Sequence, residues 1–86
     1  MKIIKIGAIW CGGCLVMAKT WESLKKNYSD IEFIELDYDI DDEEVKKHDV
    51  GEVLPVFIFY KDGVEVKRIN GEVKESILVD TIEAIK

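Results

Sequence analysis

Cys11 and Cys14, with Gly12 and Gly13 between them, are the residues of this 86-residue chain best suited to chemistry. On a helix, residues three apart share a face, close enough for a disulfide across one turn. The spacing fits a dithiol–disulfide pair, and two soft thiolates also suit Cu(I) or Zn(II). A helix start presents unpaired backbone N–H groups and the positive end of the macrodipole, both of which favour a thiolate. Cys11, just ahead of such a helix, is expected to be the more acidic and more exposed thiol, and Cys14, one turn in, the more buried. Disulfide exchange uses that asymmetry. A Cys11 thiolate attacks a substrate disulfide, and Cys14 then attacks the Cys11 sulfur, releasing reduced substrate and closing the intramolecular bridge. Buried cysteines acting only as small hydrophobes agree poorly with adjacent glycines at a strand-to-helix corner.

The elements that must position this pair follow from hydrophobic periodicity. Lys2–Ala8 is short, β-branched and apolar, and reads as a strand. From Gly13 the period changes: Cys14, Met17, Ala18, Trp21, Leu24 and Tyr28 line one face of a helix, with Lys19, Glu22, Lys25 and Lys26 opposite. Ile31–Asp37 reads as a second strand. Asp41–His48 reads as a short helix, with capping-box-like spacing of Asp41 and Glu44 and basic residues in its last turn. Val56–Lys61 is a continuous apolar strand. Asp62-Gly63 signals a tight hairpin into a charged edge strand, Val64–Ile69. A closing helix carries Ile77, Leu78, Ile82 and Ile85. The order β-α-β-α-β-β-α implies an α/β sandwich, a four-stranded mixed sheet flanked by three helices, as one domain over residues 1–86. It places the cysteines at the carboxyl end of the first strand, where open α/β sheets keep their sites.

Composition removes several alternatives. Eighteen acidic against 12 basic residues give a net charge of −6, which argues against a nucleic-acid partner. Two cysteines and one histidine leave a closed zinc site one ligand short. Seven of the ten residues from Glu35 to Glu44 are acidic. Asp37-Tyr38-Asp39-Ile40-Asp41 begins like a calcium loop, but Asp42 replaces the required glycine and His48 the closing glutamate. The run is better read as a strand end and a helix N-terminus, with His48 a dipole partner. Lys2 and Lys5 ahead of the uncharged stretch 6–18 superficially resemble a secretory signal, but Gly7, Gly12 and Gly13 interrupt it, and cleavage would discard both cysteines. No run approaches the ~20 apolar residues of a bilayer span. The expectation is a cytoplasmic protein without a membrane partner.

Trp10-Cys11-Gly12-Gly13-Cys14 resembles the W-C-G-P-C motif of the thioredoxin family, with Gly13 in the proline's place. Val53-Leu54-Pro55, followed by the strand from Val56 and the Asp62-Gly63 turn, resembles that family's second hallmark, and Gly71 its glycine near the active-site surface. The resemblance covers nearly the whole chain and implies a minimal thioredoxin fold and thiol–disulfide oxidoreductase activity. It implies Cys11 as nucleophile, Cys14 as resolving thiol, and no cofactor beyond the redox-active Cys11–Cys14 disulfide. It implies a cis Pro55 beside the cysteines, a Leu54 backbone that binds extended substrate, and Trp10, Gly12, Gly13 and Gly71 as the surrounding contact surface. Its partners would be protein disulfides and a flavoprotein disulfide reductase or another thiol donor, with the chain a monomer.

Two other classes stay open on the residues alone: a thiolate carrier of Cu(I) or Zn(II), and a redox-silent interaction module of the same fold. Copper-carrying domains share the C-x-x-C corner, but they run β-α-β-β-α-β and usually carry Met where this chain has Ile9. Glutaredoxins match in size, yet Trp10, the C-G-G-C filling and the single Gly71 fit them poorly. Typical thioredoxins hold a buried aspartate six residues before the first cysteine and a lysine on the neighbouring strand. Here those positions are Lys5 and Glu35. They are either a charge-swapped pair beneath the motif or two unrelated solvated charges.

Overall fold

The computed structural model describes residues 1–86. Its elements are β1 (Lys2–Gly7), α1 (Gly12–Val16), α2 (Ala18–Asn27), β2 (Glu32–Asp37), α3 (Asp42–Lys47), β3 (Val56–Lys61), β4 (Val64–Asn70) and α4 (Glu75–Ile85). The sheet order is β2-β1-β3-β4. β1 pairs parallel with β2 and antiparallel with β3, and β4 returns antiparallel along β3.

Burial explains the strand patterns. β1 and β3 are the central strands and are covered on both faces, so β3 reads as a continuous apolar run and β1 as one interrupted by Lys5. Ile3, Phe57 and Phe59 face a core built with Met17, Trp21, Leu24, Leu78 and Ile82. Ile4, Ile6, Val56 and Ile58 point the other way, against Val45 of α3. Strand alternation sends Lys5 to the same side as Ile3, the only charged side chain to be buried. β4 is the exposed edge with its charges outward. Asp62 and Gly63 both have positive φ, 54° and 79°, as a two-residue primed turn requires. The β3–β4 register shifts between Phe59 and Tyr60, which pair with Lys67 and Glu65 and leave Val66 of β4 as the bulged residue.

Three local expectations are corrected. The single helix expected after Gly13 is two helices, so the sheet is flanked by four helices rather than three. The break is at Met17, whose ψ of −5° opens the turn. Two glycines in α1 and the β-branched Val16 at its end give that segment weak helix propensity. Asp41 does not cap α3 with its side chain; its Oδ2 instead accepts the Asp37 N–H at 2.8 Å, closing the turn that leaves β2. His48 is the residue that ends α3, and its Nδ1 lies 3.1 Å from the Tyr60 hydroxyl on β3. In α4, Leu78 and Ile82 are fully buried but Ile77 is 45% exposed, beside Val66 and Lys67 of β4 and off the core face. No helix is long and apolar enough to cross a membrane.

This packing separates two neighbouring aliphatic residues of α4. Leu78→Ala is expected to cost about 2–5 kcal/mol, and Ile77→Ala about 0.5 kcal/mol or less. Urea unfolding midpoints at unchanged m-value measure both.

Candidate active site

β1 ends at Gly7, and the chain turns through Ala8–Trp10 before α1 begins. The Cys11 N–H donates to the Ala8 carbonyl at 3.1 Å, which tightens this corner. Cys11 is the N-cap of α1: its backbone is extended (φ −92°, ψ 111°), and its Sγ accepts the Cys14 N–H at 3.2 Å. A sulfur thus fills the place usually taken by a Ser or Asp oxygen. Cys14 lies one turn in, and both cysteines are free thiols.

The two sulfurs do not differ in exposure as expected. Cys11 is 8% and Cys14 7% exposed, because Tyr38 and Leu54 pack against the cluster they form with Ala8. The chemical difference lies in protonation and hydrogen bonding. Burial, followed by the contact with Cys11, pushes the Cys14 thiol up from an ordinary 9.0 to about 11. Cys11 holds the cap position, and its sulfur receives the backbone N–H.

Three distant segments meet at this corner. The Leu54–Pro55 bond is cis. A Cβ placed on Gly13 would lie 3.4 Å from Pro55 Cδ and 3.6 Å from the Leu54 carbonyl oxygen, so this loop stands directly against the turn between the cysteines. Gly71 closes the far side: at φ 90° it donates its N–H to the Pro55 carbonyl at 2.7 Å. That conformation is costly for any residue with a Cβ. Gly12 faces open space. No hydrogen bond within the chain engages the Leu54 N–H or C=O.

Trp10 is 61% exposed, so it is a surface aromatic and not part of the core. Its Nε1–H donates to Asp39 Oδ2 at 2.7 Å, and its ring meets Tyr38 edge-on at 6.0 Å. The acidic run therefore contributes to the site through Asp39. Asp37 meanwhile accepts the N–H groups of Asp39 and Ile40, which holds the turn that carries Asp39. Sequence reasoning missed Asp39, since 29 residues separate it from Trp10. It also missed Ile9, Leu15, Val16 and Val53, all exposed and apolar around the cysteines. Leu15 and Val16 carried a readable signal, being out of phase with the buried helix face.

Lys5 and Glu35 form the charge-swapped pair. They are register partners on β1 and β2, with Lys5 Nζ 3.1 Å from Glu35 Oε2. Together with Gly7, Cys14, Asp37 and Asp41 they line a cleft of about 400 Å³ that opens to solvent beneath the cysteines. No third metal-ligating side chain joins the two thiols in a group.

The chain matches the Thioredoxin family model over residues 1–84. It is 35% identical to thioredoxin of Gallus gallus over 85 residues, covering 99% of this chain and 79% of that protein. Among solved structures, Fasciola hepatica thioredoxin superposes with a TM-score of 0.90 at 36% identity, over 99% of this chain and 80% of that one. A thioredoxin f2 complex with ferredoxin:thioredoxin reductase superposes with a TM-score of 0.85 at 31% identity, over 98% of this chain and 76% of that one.

Two outcomes test this geometry. In Gly7→Ala, the new Cβ would sit 2.9 Å from Cys14 Sγ. A short buried side chain has little room to retreat, so a loss of about 1–3 kcal/mol is expected in denaturant unfolding of the dithiol form. The second concerns pH. The folded Cys14 thiol holds its proton to about 11, while the unfolded thiol loses it near 9.0. Between these values the native state binds more protons, so Cys14's share of stability is whole below pH 9 and falls as pH rises toward 11. Relative to Cys14→Ser, the dithiol protein should lose about 1–3 kcal/mol over that window, measured by urea unfolding at stepped pH.

Proposed function

Because the chain belongs to the thioredoxin family, whose members are protein-disulfide oxidoreductases, we propose that residues 1–86 act as one unit reducing protein disulfides through Cys11 and Cys14. The protein is a thiol–disulfide oxidoreductase. The observation that carries the assignment of roles is the N-cap position of Cys11. Its sulfur accepts the Cys14 N–H at the head of α1, where negative charge is favoured, while burial keeps the Cys14 thiol protonated.

A Cys11 thiolate attacks one sulfur of the substrate disulfide. The substrate S–S bond breaks, its other sulfur leaves as a thiolate, and a mixed disulfide to Cys11 remains. Cys14 then gives up its proton and attacks Cys11 Sγ. The substrate's second sulfur departs with the electron pair and takes up a proton. The substrate has gained two electrons, and the protein pair, now a disulfide, has lost two.

The unengaged N–H and C=O of Leu54 offer strand-like hydrogen bonds to an extended substrate segment, with Pro55 and Gly71 supporting that loop from below. Trp10, Gly12, Gly13 and the exposed Ile9, Leu15, Val16 and Val53 form the surface such a segment crosses. Electrons return from a partner disulfide reductase, flavoprotein or other; the likeness to thioredoxin f2 in complex with ferredoxin:thioredoxin reductase supports a partner of that class. We place the cycle in a monomer in the cytoplasm, where a thiol pair is turned over and not locked as a structural bridge.

With dithiothreitol as donor, the protein is expected to accelerate insulin reduction and Cys11→Ser to run at the uncatalysed rate. Cys14→Ser should instead accumulate mixed disulfides, seen as reducible higher-mass species on gels. Equal insulin rates for the wild type and Cys11→Ser would refute the assignment.

A further inference from the structure

We propose that Lys5 is a positioning residue for the resolving step, its buried ammonium standing under Cys14 and stabilising the thiolate that must form there. The inference rests on the disulfide-exchange reading above. Lys5 is 4% exposed, in a strand whose other inward residues are Ile3, Ile4 and Ile6. An apolar residue would serve the fold at least as well, because a buried ion pair seldom outweighs its desolvation. The charge therefore calls for a use other than packing.

The surroundings supply one. A Cβ built on Gly7 would lie 2.9 Å from Cys14 Sγ and 4.0 Å from Lys5 Cε, so sulfur and lysine are stacked across the bare glycine. Cys14 Sγ and Lys5 Cε stand within about 7 Å of each other on the cleft, a separation comparable to the Debye length of about 8 Å. Glu35 holds the ammonium from the far side at 3.1 Å, but its side chain is 60% exposed and its charge is screened by solvent. The other carboxylates on the cleft are Asp37, on β2, and Asp41, ahead of α3. Both are turned to backbone N–H groups, those of Asp39 and Ile40 for Asp37 and that of Asp37 for Asp41. α2 contributes the Trp21 ring, with Lys5 Nζ 5.7 Å from its centre, and α1 contributes Cys14. Lys5 is thus the cation on this cleft, and its charge opposes the burial that raises the Cys14 thiol.

During resolution the Cys14 proton leaves to water in the open cleft and the ammonium keeps its own. The thiolate attacks Cys11 Sγ, the Cys11–substrate bond breaks, and the departing substrate thiolate takes a proton from solvent. Lys5 exchanges nothing; it lowers the cost of charge on Cys14 while that charge exists.

The test uses one equivalent of 5,5′-dithiobis(2-nitrobenzoate) in stopped flow. Cys11 releases the first nitrothiobenzoate, and Cys14 the second as it closes the bridge. Lys5→Met, which keeps the volume and removes the charge, is expected to slow the second release about tenfold at neutral pH and to raise its pH midpoint by about one unit. The first release should stay within about twofold, since Cys14 and not Cys11 lines the cleft with Lys5. Superimposable second-phase profiles, or equal slowing of both phases, overturn the inference. Should Lys5→Met not fold by circular dichroism, Glu35→Gln decides: it leaves the ammonium without its counter-charge, so the second midpoint should fall, and an unchanged or raised midpoint overturns the proposal. A wild type that never gives a second release overturns the disulfide-exchange reading itself, and this inference with it.

Discussion

The structure turns on Gly7, where the core meets the chemistry. As the last residue of β1, it pairs with Asp37 of β2, one residue beyond the end of the β1–β3 ladder at Ile6 and Val56. Its carbonyl accepts the Tyr38 N–H at 2.7 Å, and its missing side chain is the space that the Cys14 sulfur occupies. One residue without a Cβ therefore fixes the distance from the sheet to the resolving thiol, and ties in the loop that carries Tyr38 and Asp39. The rigidity of a strand buried on both faces passes directly to the cysteine pair, which suits a site whose sulfurs must meet in line.

Around that point the molecule divides its polar groups by task. The acidic stretch after β2 is mostly architecture: Asp37 and Asp41 hold backbone amides that a sharp exit from a strand leaves free. Asp39 is the exception, anchoring an indole that would otherwise swing on the surface. Lys5 stands alone as a buried charge, in a position where the family's usual arrangement puts an acid. The inversion alters the field at Cys14 and leaves the fold unchanged, because a strand interior accepts either sign if a partner satisfies it.

The substrate-facing surface is assembled from chain segments that share no sequence neighbourhood. Leu54 and Pro55 reach the cysteines because β3 runs antiparallel beside β1, and Gly71 reaches Pro55 because β4 returns along β3. Exposed Ile9, Leu15, Val16 and Val53 complete an apolar rim around sulfurs that are themselves covered. Isolated apolar residues on a surface are ordinary, whereas several around one reactive pair form a contact surface.

Local chemistry was readable from the residues alone. The C-x-x-C spacing, the strand periods and the Asp62-Gly63 turn depend on neighbours a few positions away, and all three describe the molecule; the order of elements does so except that the first helix is split in two. The Lys5–Glu35 pairing could be posed but not decided, since register between strands 30 residues apart depends on packing. The break at Met17, the turning of Asp41 from α3 to β2, and the outward Ile77 escaped for the same reason: each depends on which neighbour competes for a group. So did the equal burial of Cys11 and Cys14. Helix position sets which sulfur receives an amide, but exposure is set by Tyr38 and Leu54, brought over both thiols from other elements. Covalent order thus specifies which groups can react, and long-range packing specifies which of them water and substrate can reach.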